Sequence, residues 1–73
     1  MDDRTLLAAT GAALHGRDWK RPLAEQLNID DRSLRRWIAD NHVPPGVWAD
    51  ITALLERHAQ AVSRLITESR TRT

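Results

Sequence analysis

Residues 20–39, Lys-Arg-Pro-Leu-Ala-Glu-Gln-Leu-Asn-Ile-Asp-Asp-Arg-Ser-Leu-Arg-Arg-Trp-Ile-Ala, decide the fold of this chain. Two short apolar-periodic segments flank a polar break at Asn28-Ile29-Asp30. The first segment predicts a helix from Asp18 or Trp19 to Leu27. Pro22 falls in its first turn, where backbone N–H groups have no intrahelical partner, so it does not break the helix. Asn28 suits a left-handed turn residue, and Asp30 is a good N-cap for a second helix reaching about Asp40. Ala24 is small where the two helices cross, and Leu23, Leu27 and Ile29 are apolar where the first helix and the turn meet a core. At 3.6 residues per turn, Leu34, Trp37 and Ile38 share one face of the second helix, and Arg32, Arg35, Arg36 and Ala39 share the opposite one.

Outward from this segment the pattern stays helical, with no strand-like alternation and no internal repeat. An N-terminal helix is expected over about Thr5–Leu14, with Asp2 or Asp3 near its start, Gly16 after its end, and Leu6, Leu7, Thr10, Ala13 and Leu14 at core spacing. Asn41-His42-Val43-Pro44-Pro45-Gly46 reads as a loop, since tandem proline does not continue a helix interior. A last helix is expected from Pro45 or Gly46 to about Ser69. The expectation is therefore one all-α domain of four or five helices with a long C-terminal helix. Trp19, Trp37 and Trp48 sit at apolar helical positions and read as core.

Composition narrows the function. The chain has 73 residues, no cysteine and a net charge of +1. Its core is small, so a partner subunit is a natural source of stability. Met1 leads into Asp2 and Asp3, unlike the basic start of a secretory signal, and no apolar run approaches a membrane span; a cytoplasmic protein with no membrane partner is expected. Charge is unevenly spread: residues 17–36 carry +2 and residues 37–56 carry −3. Such a local basic face matters more to phosphate binding than the total. His15, His42 and His58 are scattered, no glycine-rich phosphate loop exists, and Ser33 and Ser63 lack a nucleophile context. No enzyme, metal, cofactor or small-molecule ligand is expected.

The segment 20–39 has the helix-turn-helix pattern, and residues 18–58 resemble the phage-repressor-like family of transcriptional regulators. The small alanine, the turn and the apolar anchors of the second helix fall in register. Asn28 departs from the glycine usual in that turn, but asparagine tolerates the same backbone conformation. The resemblance implies that the second helix reads bases in the major groove of double-stranded DNA. Carried over, the base-reading positions at its start and outer face are Asp31, Arg32, Ser33, Arg35 and Arg36. Asp31 has a structural alternative: it suits the helix N-terminus electrostatically and can hold Arg35 one turn on. Arg17, Lys20 and Arg21, at or before the first helix of the motif, are phosphate-contact candidates, with plain surface charge as the alternative.

In the last helix, Trp48, Ile51, Leu55, His58, Val62, Leu65 and Ser69 follow a 3,4 spacing. Its first half should pack on the helix-turn-helix. Its second half, through Val62, Leu65 and Ile66 with His58 at the edge, then needs another surface, and a two-fold homodimer supplies one. The alternative is a helix that bends near His58 and folds back. Taken together, the expected function is sequence-specific DNA binding as a homodimer on an inverted repeat, repressing genes of a phage, plasmid or other mobile element, as autorepressors beside anti-CRISPR or toxin genes do. Two other readings stand beside it: a protein-interaction module such as an antitoxin or inhibitor, and a DNA-binding accessory factor of recombination or packaging.

Overall fold

The computed structural model describes residues 1–73 and is all-helical, with four helices and no strand. They are α1 (Asp3–His15), α2 (Lys20–Gln26), α3 (Asp31–Asp40) and α4 (Pro45–Arg70). Helix α1 starts two residues before the expected Thr5, because Asp2 is the N-cap and its Oδ1 accepts from the Thr5 N–H at 2.8 Å. Helix α2 is shorter at both ends than expected, with Trp19 and Leu27 as its caps.

The turn between α2 and α3 forms as its residues dictate. Asn28 has φ 56°, the Ile29 N–H donates to the Ala24 carbonyl at 3.0 Å, and the Asn28 N–H donates to Glu25 at 3.1 Å. This closes α2 in a Schellman arrangement. Asp30 then caps α3, its Oδ1 accepting from the Ser33 N–H at 2.7 Å. The same closure ends α3: Asn41 has φ 52° and the His42 N–H donates to the Trp37 carbonyl at 3.1 Å. Asparagine thus fills both left-handed positions, where a short polar side chain is tolerated.

Leu7, Leu23, Leu34, Val43 and Ile51 are the largest fully buried side chains, with Ala24 and Leu54 beside them. All four helices and the α3–α4 loop therefore contribute to one core. Val43, expected only as loop, plugs that core, and its N–H donates to Asp3 Oδ2 at 2.8 Å. Trp19, Leu27, Ile29, Trp37, Ile38 and Trp48 are partly buried against it. Two expected core positions of α1 differ. Leu6 and Ala13 are exposed, while Gly11 is buried. A Cβ at Gly11 would fall inside the Trp19 indole, so α1 and the start of α2 meet through a missing side chain.

Helix α4 is uninterrupted over 26 residues, about 39 Å at 1.5 Å per residue. It does not bend at His58 or fold back. Its first half packs on the domain through Ile51 and Leu54, and every residue from Ala59 onward is exposed. None of the helices is long and apolar enough to cross a membrane.

Candidate nucleic-acid interface

Helix α3 is held from both ends and from behind, which leaves its arginine face outward. Leu34 is fully buried, and Trp37 and Ile38 are half-buried against the core. At the N-terminus, the Ser33 backbone N–H, then the Ser33 hydroxyl, hold the Asp30 carboxyl below the usual carboxylate range. The nearby Arg32 and Arg36 charges add to this lowering against slight desolvation. At the C-terminus, Arg4 reaches across from α1: its Nε donates to the Ile38 carbonyl at 2.8 Å and its Nη2 to Ala39 at 3.3 Å. The Arg4 backbone N–H also donates to Asn41 Oδ1 at 2.9 Å. A cation on the last carbonyls of a helix satisfies free acceptors and complements the dipole.

Arg32, Arg35 and Arg36 are all exposed. Arg35 Nη2 lies 3.3 Å from Asp31 Oδ2, one turn back on the same helix, with the arginine side chain still 73% exposed. Asp31 is thus paired with Arg35, as its structural alternative requires, and most of the guanidinium stays open. Ser33 is half-buried, and its backbone N–H is taken by the cap.

The structure gathers most of the remaining candidates. Arg17, Lys20 and Arg21, with Asp18 and Trp19, join Asp31 and Arg35 around an open cleft of about 440 Å³ between the start of α2 and the start of α3. Four cations face two carboxylates there. Lys20 Nζ stands 6.0 Å from the centre of the Trp19 ring, a cation–π distance. Arg21 makes a loose pair with Glu25 at 3.8 Å. Arg32 and Arg36 lie outside the cleft, on the outer face of α3, so Arg35 joins the two groups.

Sequence reasoning missed three positioning residues. Arg4, Asp3 and Asn41 are separated by 34 residues or more from the groups they hold, or are held by, across the α1–α3 junction. Nothing local marks them. The histidines also differ from the scattered picture: His15 and His58 line one shallow cleft with Leu14, Gln26, Leu54 and Arg57, and His15 Nε2 is 2.6 Å from Gln26 Oε1. His42 instead lies beside Asp3 at 3.9 Å.

Neither a protein-family model, a curated protein nor a solved structure matches the chain.

Proposed function

We propose that this protein is a sequence-specific DNA-binding regulator that reads the major groove with α3. The observation that carries this reading is the outward face of Arg32, Arg35 and Arg36 on a short helix fixed at both ends, beside a basic cleft at the start of the preceding helix. The two groups suit different parts of a duplex. Arginine guanidinium forks pair with guanine O6 and N7 in the major groove. Arg17, Lys20 and Arg21 suit phosphate oxygens, which fix register without reading sequence.

Repression follows from occupancy: a protein seated on a promoter blocks polymerase without a further surface. Autorepression of a mobile-element gene fits this simple design. The test is selection of bound duplexes from a random pool, followed by affinity measurement across salt. An enriched motif is expected. Affinity for it should fall roughly a thousandfold between 50 and 200 mM salt if about six phosphates are neutralised. No enriched motif, or equal affinity for scrambled duplex, would overturn the reading.

A further inference from the structure

The outer half of α4 presents an uncharged apolar stripe to solvent. Val62, Leu65 and Ile66 are 39%, 67% and 45% exposed, and Ser69 and His58 lie in line with them. At 3.6 residues per turn these five positions span about 100° of the helix surface. Arg64 points to the opposite side, and Glu68 and Arg70 fall on the two flanks. The stripe is continuous with the one that carries the core: Val47, Trp48, Ile51, Leu54 and Leu55 occupy the same sector of α4. The domain and the free stripe therefore sit on one side of one helix, the domain over the first half and nothing over the second.

We propose that a second copy of this chain covers the stripe with its own, the two α4 helices running antiparallel about a two-fold axis between Val62 and Leu65. The shape of the molecule selects this direction. Paired helices lie 8–10 Å apart. The molecule is 22–23 Å across its short axes. In a parallel pair both domains would need the same narrow gap between the helix starts. In an antiparallel pair each domain stands beyond the end of the other helix, and the gap is free.

The charges on the flanks point the same way. Antiparallel pairing sets Val62 against Leu65 of the second copy and His58 against its Ser69. Glu56 and Arg57 then flank the second copy's Arg70 and Glu68, opposite charges on both sides. Three apolar side chains alone bury far less than the roughly 800 Å² per partner of a stable interface. Antiparallel placement adds residues 70–73 of the second copy, which run toward the cleft of about 280 Å³ lined by Leu14, His15, Gln26, Leu54, Arg57 and His58.

The pairing also sets a symmetry. Each domain is anchored on α4 near Ile51 and Leu54, so the two-fold axis presents two copies of α3 that suit an inverted repeat. This last step rests on the DNA-reading proposal; the pairing itself does not.

The chain has no cysteine, which makes the direction of pairing measurable. A disulfide needs Cα atoms within about 7 Å. The full-length His58→Cys/Ser69→Cys double variant should oxidise to a covalent dimer, while each single variant should not cross-link to itself. Cross-linking by either single variant would indicate a parallel pair and overturn the proposal. The wild type should sediment at twice 8.3 kDa at micromolar concentration, and Val62→Glu/Leu65→Glu at 8.3 kDa with its helicity retained. A monomeric wild type overturns the pairing. With the selected duplexes, half-sites should recur as an inverted repeat; an antiparallel dimer that selects no duplex would uphold the pairing and reject the DNA reading.

Discussion

Helix α3 and the outer half of α4 both leave a face in solvent, and the two faces are chemical opposites. The α3 face is arginine on a helix whose back is sunk in the core and whose ends are tied down. The α4 face is Val, Leu and Ile on a helix that touches nothing else beyond His58. A charged face costs little to leave in water and pre-positions cations for an anionic partner. An apolar face gains free energy only when covered, so it points to another apolar surface. Under the two proposals, the difference assigns two separate tasks to one small chain: reading to α3 and pairing to α4.

The comparison breaks first if stability does not divide along the same line. Leu34→Ala empties a fully buried site behind the arginine face and should cost about 2–5 kcal/mol, much of the stability of a domain this small. Val62→Glu/Leu65→Glu should leave the unfolding of the isolated monomer nearly unchanged, because neither side chain reaches the core. Chemical denaturation at a protein concentration low enough to hold both variants monomeric would measure the two. Equal losses would mean that α4 beyond His58 supports the domain.

A sharper test uses Gly11, which lies far from both faces in sequence but seats Trp19 at the edge of the basic cleft. In an ordinary helix interior, glycine to alanine is stabilising by up to about 1 kcal/mol. Here the added methyl meets the indole, and the overpacking should reverse the sign, destabilising by about 1–3 kcal/mol. DNA affinity should fall as well, through displacement of Trp19 and Lys20, while the sedimentation mass stays that of the wild type. A thermal melt and a sedimentation run together decide it. A more stable Gly11→Ala variant would mean that Trp19 yields freely and does not fix the cleft.

Within the proposed reading surface, Arg35→Ala or Arg36→Ala should cost about 1–3 kcal/mol on the selected site and relax preference at one or two base positions. Lys20→Ala should weaken all duplexes more evenly and reduce the salt slope by about one. Titrations against the selected motif and against single-base variants separate the two patterns. Melting temperatures of all three should stay near that of the wild type, since the side chains are exposed.

How far these regions were legible in the sequence follows from the range of the forces involved. The turn at Asn28, the Asp30 cap, the buried Leu34 and the Asp31–Arg35 pair are set by residues within one or two helical turns, and local pattern is enough to find them. The exposure of Leu6 and Ala13, the burial of Gly11 and Val43, and the Arg4 clamp depend on how distant elements cross. A one-dimensional period does not carry that information. The 3,4 spacing along α4 was visible throughout, but it is the same for the buried and the free half. Only the packed fold shows where the domain stops covering it.

The smallest expected effect concerns acid. Asp30 and Asp2 each cap a helix, and both carboxyls are held below the ordinary value of 3.8. For Asp30 the main cause is the hydrogen bond from the Ser33 backbone N–H, and for Asp2 the bond with the Thr5 side chain followed by that from its backbone. Because the folded state holds the proton less tightly than the unfolded chain, this contribution is fully present above the unfolded value. It is lost as pH falls from about 3.8 through the lower folded value. Asparagine keeps a capping oxygen but does not titrate. Asp30→Asn should therefore narrow the drop in stability between pH 5 and pH 2 while leaving stability near pH 7 only slightly changed. The start of α4 has no side-chain cap, so no capping bond there can be lost to protonation. Backbone amide signals of residues 31–34 should follow the protonation of Asp30 below about pH 3.8, and those of residues 46–49, which have no capping carboxyl, should not track it. Simultaneous change at both helix starts would show that acid acts through the whole fold and not through the Asp30 cap.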